Sequence, residues 1–128
     1  MEAIDDPLTR SIIASAYQVH NELGFAFLEK VYERALLVEL NARGMSVEVQ
    51  VTTDVWYKGH VVGTYCIDLV VENKVVCELK AVESLSRQHH VQLVNYLAAT
   101  RMDMGLLINF GQSVEVRRKY RLPKRKSC

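Results

Sequence analysis

The chain lacks any apolar run approaching the length of a membrane span, so a membrane-spanning helix is not expected. Its first residues are acidic, not basic-then-apolar, which is not the pattern of a signal peptide. A cytoplasmic location with no membrane partner is the expectation. Cysteine is scarce, with three in 128 residues. None forms a C-x-x-C pair or a Cys/His zinc spacing, so the expectation is small buried hydrophobes at Cys66 and Cys77 and a tail thiol at Cys128. No internal repeat, linker or low-complexity segment interrupts the chain, and its length fits one domain with a real core.

Net charge is also small, at +1, but it is unevenly placed. Glu115 is the last acid, and seven basic residues follow: Arg117, Arg118, Lys119, Arg121, Lys124, Arg125 and Lys126. Residues 1–116 hold nine basic residues against all fifteen acidic ones, a balance of −6. The division expected is a single domain over residues 1–116 and a basic C-terminal tail over 117–128. An acidic body can hold a metal while a basic tail meets a polyanion, although a merely solvated extension has the same composition.

What is present is concentrated between Tyr65 and Lys80. Two apolar strands flank the polar turn Glu72-Asn73-Lys74. With Asn73 at the midpoint, Leu69 faces Cys77, Val70 faces Val76, Ile67 faces Leu79 and Asp68 faces Glu78. One face then reads Ile67, Leu69, Val71, Val75, Cys77, Leu79, wholly apolar, and a one-residue slip would mix the faces. The same register sets two carboxylates roughly 5 Å apart at Cβ inside an apolar hairpin. Like charges so placed are unfavourable, more so when buried. Either a hard divalent cation or Lys80, two residues on, can neutralise them.

The rest of the chain supplies the frame. Asp5 or Asp6 caps a helix with Pro7 in its first turn, running to about Glu22. A second helical pattern spans about Leu28 to Ala42, after an apolar link at Phe25-Ala26-Phe27. A half-exposed strand follows from Val47 through Tyr57 to a Lys58-Gly59 turn, then strands over 60–71 and 75–81, with a bulge expected near Gly63. A helix capped by Ser84 or Ser86 covers about Arg87 to Thr100. The continuous apolar run from Met104 to Phe110 suits a strand buried on both faces, parallel to the one before the helix. Val114 to Tyr120 alternates as an edge strand. The sum is an α/β fold, α-α-β-β-β-α-β, with a mixed four- to five-stranded sheet flanked by helices.

Asp68, Glu78 and Lys80 form D-x9-E-x-K, a string that chance also produces as a solvated charge pair. Gln92 and Tyr96 are i,i+4 on the helix after Lys80 and share a face. Taken alone they read as a surface amide and a half-buried tyrosine. Glu29 opens the second helix, where an acid also suits the helix dipole. The four histidines form no trusted metal spacing.

Several segments resemble one family. Val19-His20-Asn21-Glu22-Leu23-Gly24 and Leu28-Glu29-Lys30-Val31-Tyr32 look like the opening of the GxxExxY proteins, small members of the PD-(D/E)xK nuclease-like superfamily. The similarity continues through Tyr57-Lys58-Gly59, Asp68-Leu69-Val70-Val71, Val76-Cys77-Glu78-Leu79-Lys80-Ala81, Gln92-Leu93-Val94-Asn95-Tyr96 and Gly105 to Phe110. Ala26 stands where the motif has its first glycine. The resemblance implies a restriction-endonuclease-like core. It implies Asp68 and Glu78 as metal ligands, Lys80 as the motif lysine, Gln92 and Tyr96 as a Q-x-x-x-Y pair, and Glu29 as a helical acid joining the site. The leading expectation is a Mg²⁺- or Mn²⁺-dependent nuclease acting on DNA or RNA, with the Leu79 carbonyl as a further metal ligand and Glu29 binding or orienting a second ion, directly or through water. Two alternatives are a catalytically inactive nuclease-fold module that binds nucleic acid or a protein, and a structural domain in which Lys80 pairs with the acids. A homodimer through an edge strand or the first helix is a further expectation.

Overall fold

The computed structural model describes residues 6–121. The order is α1 (Pro7–Leu23), α2 (Glu29–Ala42), β1 (Val47–Tyr57), β2 (His60–Val71), β3 (Val75–Lys80), α3 (Arg87–Thr100), β4 (Met104–Phe110) and β5 (Val114–Tyr120). The sheet runs β1-β2-β3-β4-β5. Every neighbouring pair is antiparallel except β3 and β4, which lie parallel across the α3 crossover. This is the restriction-endonuclease-like α/β architecture expected from the sequence, with a fifth strand. The expected boundary after residue 116 falls inside β5, and the remainder of the basic tail, with Cys128, lies outside the described residues.

Local chemistry sets the ends. Asp6 caps α1, its Oδ1 accepting the Leu8 N–H at 2.8 Å, with Pro7 in the first turn. In the β2–β3 turn Glu72 and Asn73 both have positive φ, and the Lys74 N–H bonds to the Val71 carbonyl at 3.0 Å. Two left-handed residues give a turn whose twist suits the paired strands. Beside Gly63, Val55 pairs with Gly63 but Trp56 with Val61, so the expected bulge is present.

The sheet is covered on both faces. One side holds Ile12, Ala16, Val19, Tyr32, Leu36 and Leu40 of α1 and α2 against Leu69, Val71, Val75, Cys77, Leu79, Leu106, Ile108 and Phe110. The other packs Leu93, Tyr96 and Leu97 of α3 on Ile67, Val70, Val76 and Leu107. α3 sits close: a Cβ on Gly105 would come within 2.9 Å of Leu93 Cδ1. Burial on both faces is why β4 reads as one apolar run.

Two expectations need correction. The pairs Leu69↔Cys77, Val70↔Val76 and Val71↔Val75 stand, but the ladder stops there. Ile67 packs with Val70 and Val76 under α3, not with Leu69 under α1 and α2. The face switch falls at Asp68, and across on β1 Gln50 takes φ 50°, missing from the β1–β2 pairing. Cys66, expected as a buried hydrophobe, is exposed; Cys77 is buried.

Candidate active site

β2 and β3 part where the face switch occurs, and the candidate residues collect in that opening. Asp68 lies on β2, Glu78 and Lys80 on β3. Asp68 and Glu78 are not a ladder pair as the register predicted. Instead the Asp68 Oδ2 accepts the backbone N–H of Leu79 at 2.8 Å. Leu79 thus meets the site through its amide. Parallel pairing with β4 sets Lys80 beside Asn109. Asn109, 1% exposed, clamps the chain leaving β3: its Oδ1 accepts from Val82 N and its Nδ2 donates to Val82 O, both at 2.9 Å.

Burial dominates the electrostatics. Glu78 is 4% exposed, and among the described residues its buried Oε1 meets no donor, although in its protonated form Glu78 shares a side-chain hydrogen bond with Asp68. Its Oε2 lies 3.5 Å from Lys80 Nζ. Burial first, then the charge of Asp68, pushes the Glu78 carboxyl up to about 8, against the pull of Lys80. Asp68 is raised by burial, opposed by the Leu79 amide and reinforced by the charge of Glu33. Glu29, first residue of α2, is raised by burial and then by Asp68, with Lys80 opposing. The start of α2 thus lies within electrostatic reach of Asp68 and Lys80.

α3 closes the other side. Gln92 lines a hollow of about 480 Å³ with Tyr65, Lys80, Gln88, His89, Val91 and Asn95. Tyr96 is buried, its ring 5.3 Å from that of Tyr65. Its phenol is raised by burial and then by the charges of Glu78 and Asp68. Among the described residues neither Gln92 nor Tyr96 hydrogen-bonds Lys80.

Glu33 and Gln50 escaped the sequence reading. Glu33 is buried one turn after Glu29; its Oε2 accepts from Gln50 Nε2 at 2.9 Å and its Oε1 meets Lys30 Nζ at 3.1 Å. Gln50 in turn accepts the Cys66 thiol at 3.1 Å. The signal was the i,i+4 pair of acids, unfavourable on an ordinary helix surface.

A five-stranded mixed sheet between two helical layers, opened beside a D…E-x-K strand end, defines a nuclease-type fold. The chain belongs to the PD-(D/E)XK nuclease superfamily, whose family model matches residues 6–120. Among solved structures, SSO0001 superposes with a TM-score of 0.57 at 18% identity, covering 74% of this chain and 50% of its own. An alkaline exonuclease from Laribacter hongkongensis gives 0.56 at 11% identity, covering 93% and 72%. The chain thus spans half the length of SSO0001. At these identities the likeness is one of fold. No curated protein sequence matches the chain.

Members of this superfamily generally use divalent metals. Among the described residues no three His, Cys, Asp or Glu side chains group closely enough to hold a metal alone. The residues nonetheless fit a hard cation. The donors are all oxygen, one carboxylate oxygen is buried without a partner, and the charged forms are held back by their neighbours. Mg²⁺ is commonly bound through one or two carboxylates, with water and substrate phosphate completing the shell. Asp68 and Glu78 would hold it.

Proposed function

We propose that this chain is a metal-dependent phosphodiesterase acting on DNA or RNA, with Asp68 and Glu78 as the ligands of Mg²⁺ or Mn²⁺. The observation that carries the reading is the partnerless buried Oε1 of Glu78 beside a second carboxylate. Once Glu78 ionises, an oxygen so placed costs about 1–3 kcal/mol unless something binds it. A bound ion supplies an acidified water and a counter-charge for the phosphate. Lys80, 3.5 Å from Glu78 Oε2, sets a positive charge where negative charge develops on the phosphate oxygens. Gln92, in the hollow it shares with Lys80, and Tyr96 hold a phosphate oxygen in place. Glu29 orients water at the front of the site, with Glu33 behind it. The Leu79 carbonyl belongs to the same proposal as a further ligand. The resemblance to GxxExxY proteins and the exonuclease relative support hydrolysis of a nucleic acid.

The test is cleavage of plasmid and single-stranded substrates with Mn²⁺ by the wild type, Glu78→Ala and Lys80→Ala. Each variant is expected to lose about 10²-fold or more in rate. Equal cleavage by all three sinks the proposal. Binding without cleavage by the wild type would favour the inactive module.

A further inference from the structure

Half of β5 faces α3, and that half is basic. Arg117 stands opposite Leu107, which packs under α3, and Lys119 stands opposite Gly105, whose open face touches Leu93 of α3. Arg118 stands opposite Leu106, in the layer beneath α1 and α2. Facing residues share a side of the sheet. Arg117 and Lys119 therefore lie on the α3 side and Arg118 on the reverse. His90, near the start of α3, feels the charges of Lys119, Arg117 and Glu115. Its neighbour His89 feels those of Lys80 and His90. The hollow that His89 shares with Lys80, and the reach of the β5 charges to His90, set β5 and Lys80 on one face across the first turns of α3. Glu115 lies on the route, ion-paired to Arg117 at 2.9 Å, and Glu78 stands at its end beside Lys80. The pair with Arg117 is exposed and weak, so a phosphate can compete for the guanidinium.

We propose that this face carries the phosphate backbone of a single-stranded nucleic acid, running past Lys119 and Arg117, over His90 and His89, to Lys80. Charge and hydrogen-bond donors together select the ligand: two cations, Lys119 and Arg117, and two imidazoles held toward the neutral form, His90 and His89, lead to the lysine of the site. His89 suits the role uncharged. Its Nδ1 accepts the Ser86 N–H at 3.0 Å, which leaves Nε2 to carry the hydrogen and donate. The single strand follows from the hollow beside Lys80. It offers the Tyr65 ring and the amides of Gln88, Gln92 and Asn95, which meet base faces and edges only when the bases are unpaired. The inference rests on the reading of the site as one that acts on nucleic acid, and it assigns the surface that holds the substrate.

The experiment compares Lys119→Gln with Arg118→Gln, neighbours with the same charge loss on opposite faces. Binding of fluorescein-labelled oligothymidylate is followed by anisotropy in EDTA over a range of salt, with the matching duplex as competitor. For Lys119→Gln the slope of log K against log salt is expected to become shallower by about 0.7, one single-strand phosphate contact. Arg118→Gln is expected to keep the wild-type slope, and the duplex to compete more weakly than the free strand. Equal loss in both variants, no loss in Lys119→Gln, no binding by the wild type, or duplex competing as well as single strand would each overturn it. Because EDTA removes any metal and stops hydrolysis, the outcome is independent of the cleavage test with Glu78→Ala.

Discussion

Asp68 Oδ2 accepts the Leu79 N–H at 2.8 Å, beyond the last backbone pair joining β2 to β3. One carboxylate thus serves two purposes. It satisfies a buried amide where the strands part, and it places a negative charge next to Glu78. Asp68→Ala removes both and leaves the amide without its acceptor, at a cost of about 1–3 kcal/mol. Asp68→Asn keeps an acceptor oxygen and removes only the charge. Urea denaturation in EDTA is expected to show Asp68→Asn well above Asp68→Ala in stability. Equal losses would mean that the amide bond contributes nothing.

Stability should depend on pH through Glu78. Its carboxyl is raised from 4.5 to about 8, so the folded state holds the proton more tightly than the unfolded chain. The resulting stability is complete below 4.5 and is lost as pH rises toward about 8. Asp68 and Glu29 are shifted in the same direction and add to the slope. Melting of the metal-free protein across this interval should show a falling transition temperature, and Glu78→Gln should flatten it. A melting temperature independent of pH in the wild type would contradict the burial account.

Asn109 makes two bonds to Val82, the second residue after Lys80. Asn109→Ala leaves a backbone N–H and C=O unpaired and is expected to cost about 2 kcal/mol. It should also slow any hydrolysis that depends on Lys80, since the end of β3 loses its clamp. Chemical denaturation and rate measurements at saturating Mn²⁺ check both.

Ala26 holds φ 82° in the link before α2, a conformation that L-residues adopt at a cost. Ala26→Gly is expected to raise stability by about 0.5–1 kcal/mol, read as a higher urea midpoint. A drop would show that the positive φ is not strained.

Most of the frame was legible in the sequence because its signals are local. Pro7 after Asp6, the alternation in β1 and β5, and the unbroken run of β4 each report an environment that the strand or helix then occupies. The hairpin register was readable from Leu69 to Cys77 for the same reason. Past that point the strands separate and Ile67 changes face, and a period of two cannot show where alternation breaks. The positive φ lies on the partner strand, at Gln50, where no glycine marks it. Asn109 was hidden inside an apolar run, its partner being a backbone segment brought over by the parallel crossover. Glu33 had a visible signal, an acid one turn after Glu29. Its burial depends on β1, which sequence spacing does not place.

The central claim is that Asp68 and Glu78 form a cation site. Titration calorimetry with Mn²⁺, at a pH above the raised Glu78 value of about 8, tests it most directly. The wild type is expected to bind Mn²⁺, and Glu78→Gln to abolish binding while remaining folded in the metal-free form. Binding should weaken as pH falls, since the ligands must lose their protons. Mn²⁺ binding of equal strength in the wild type and Glu78→Gln, or none in the wild type, would contradict the account.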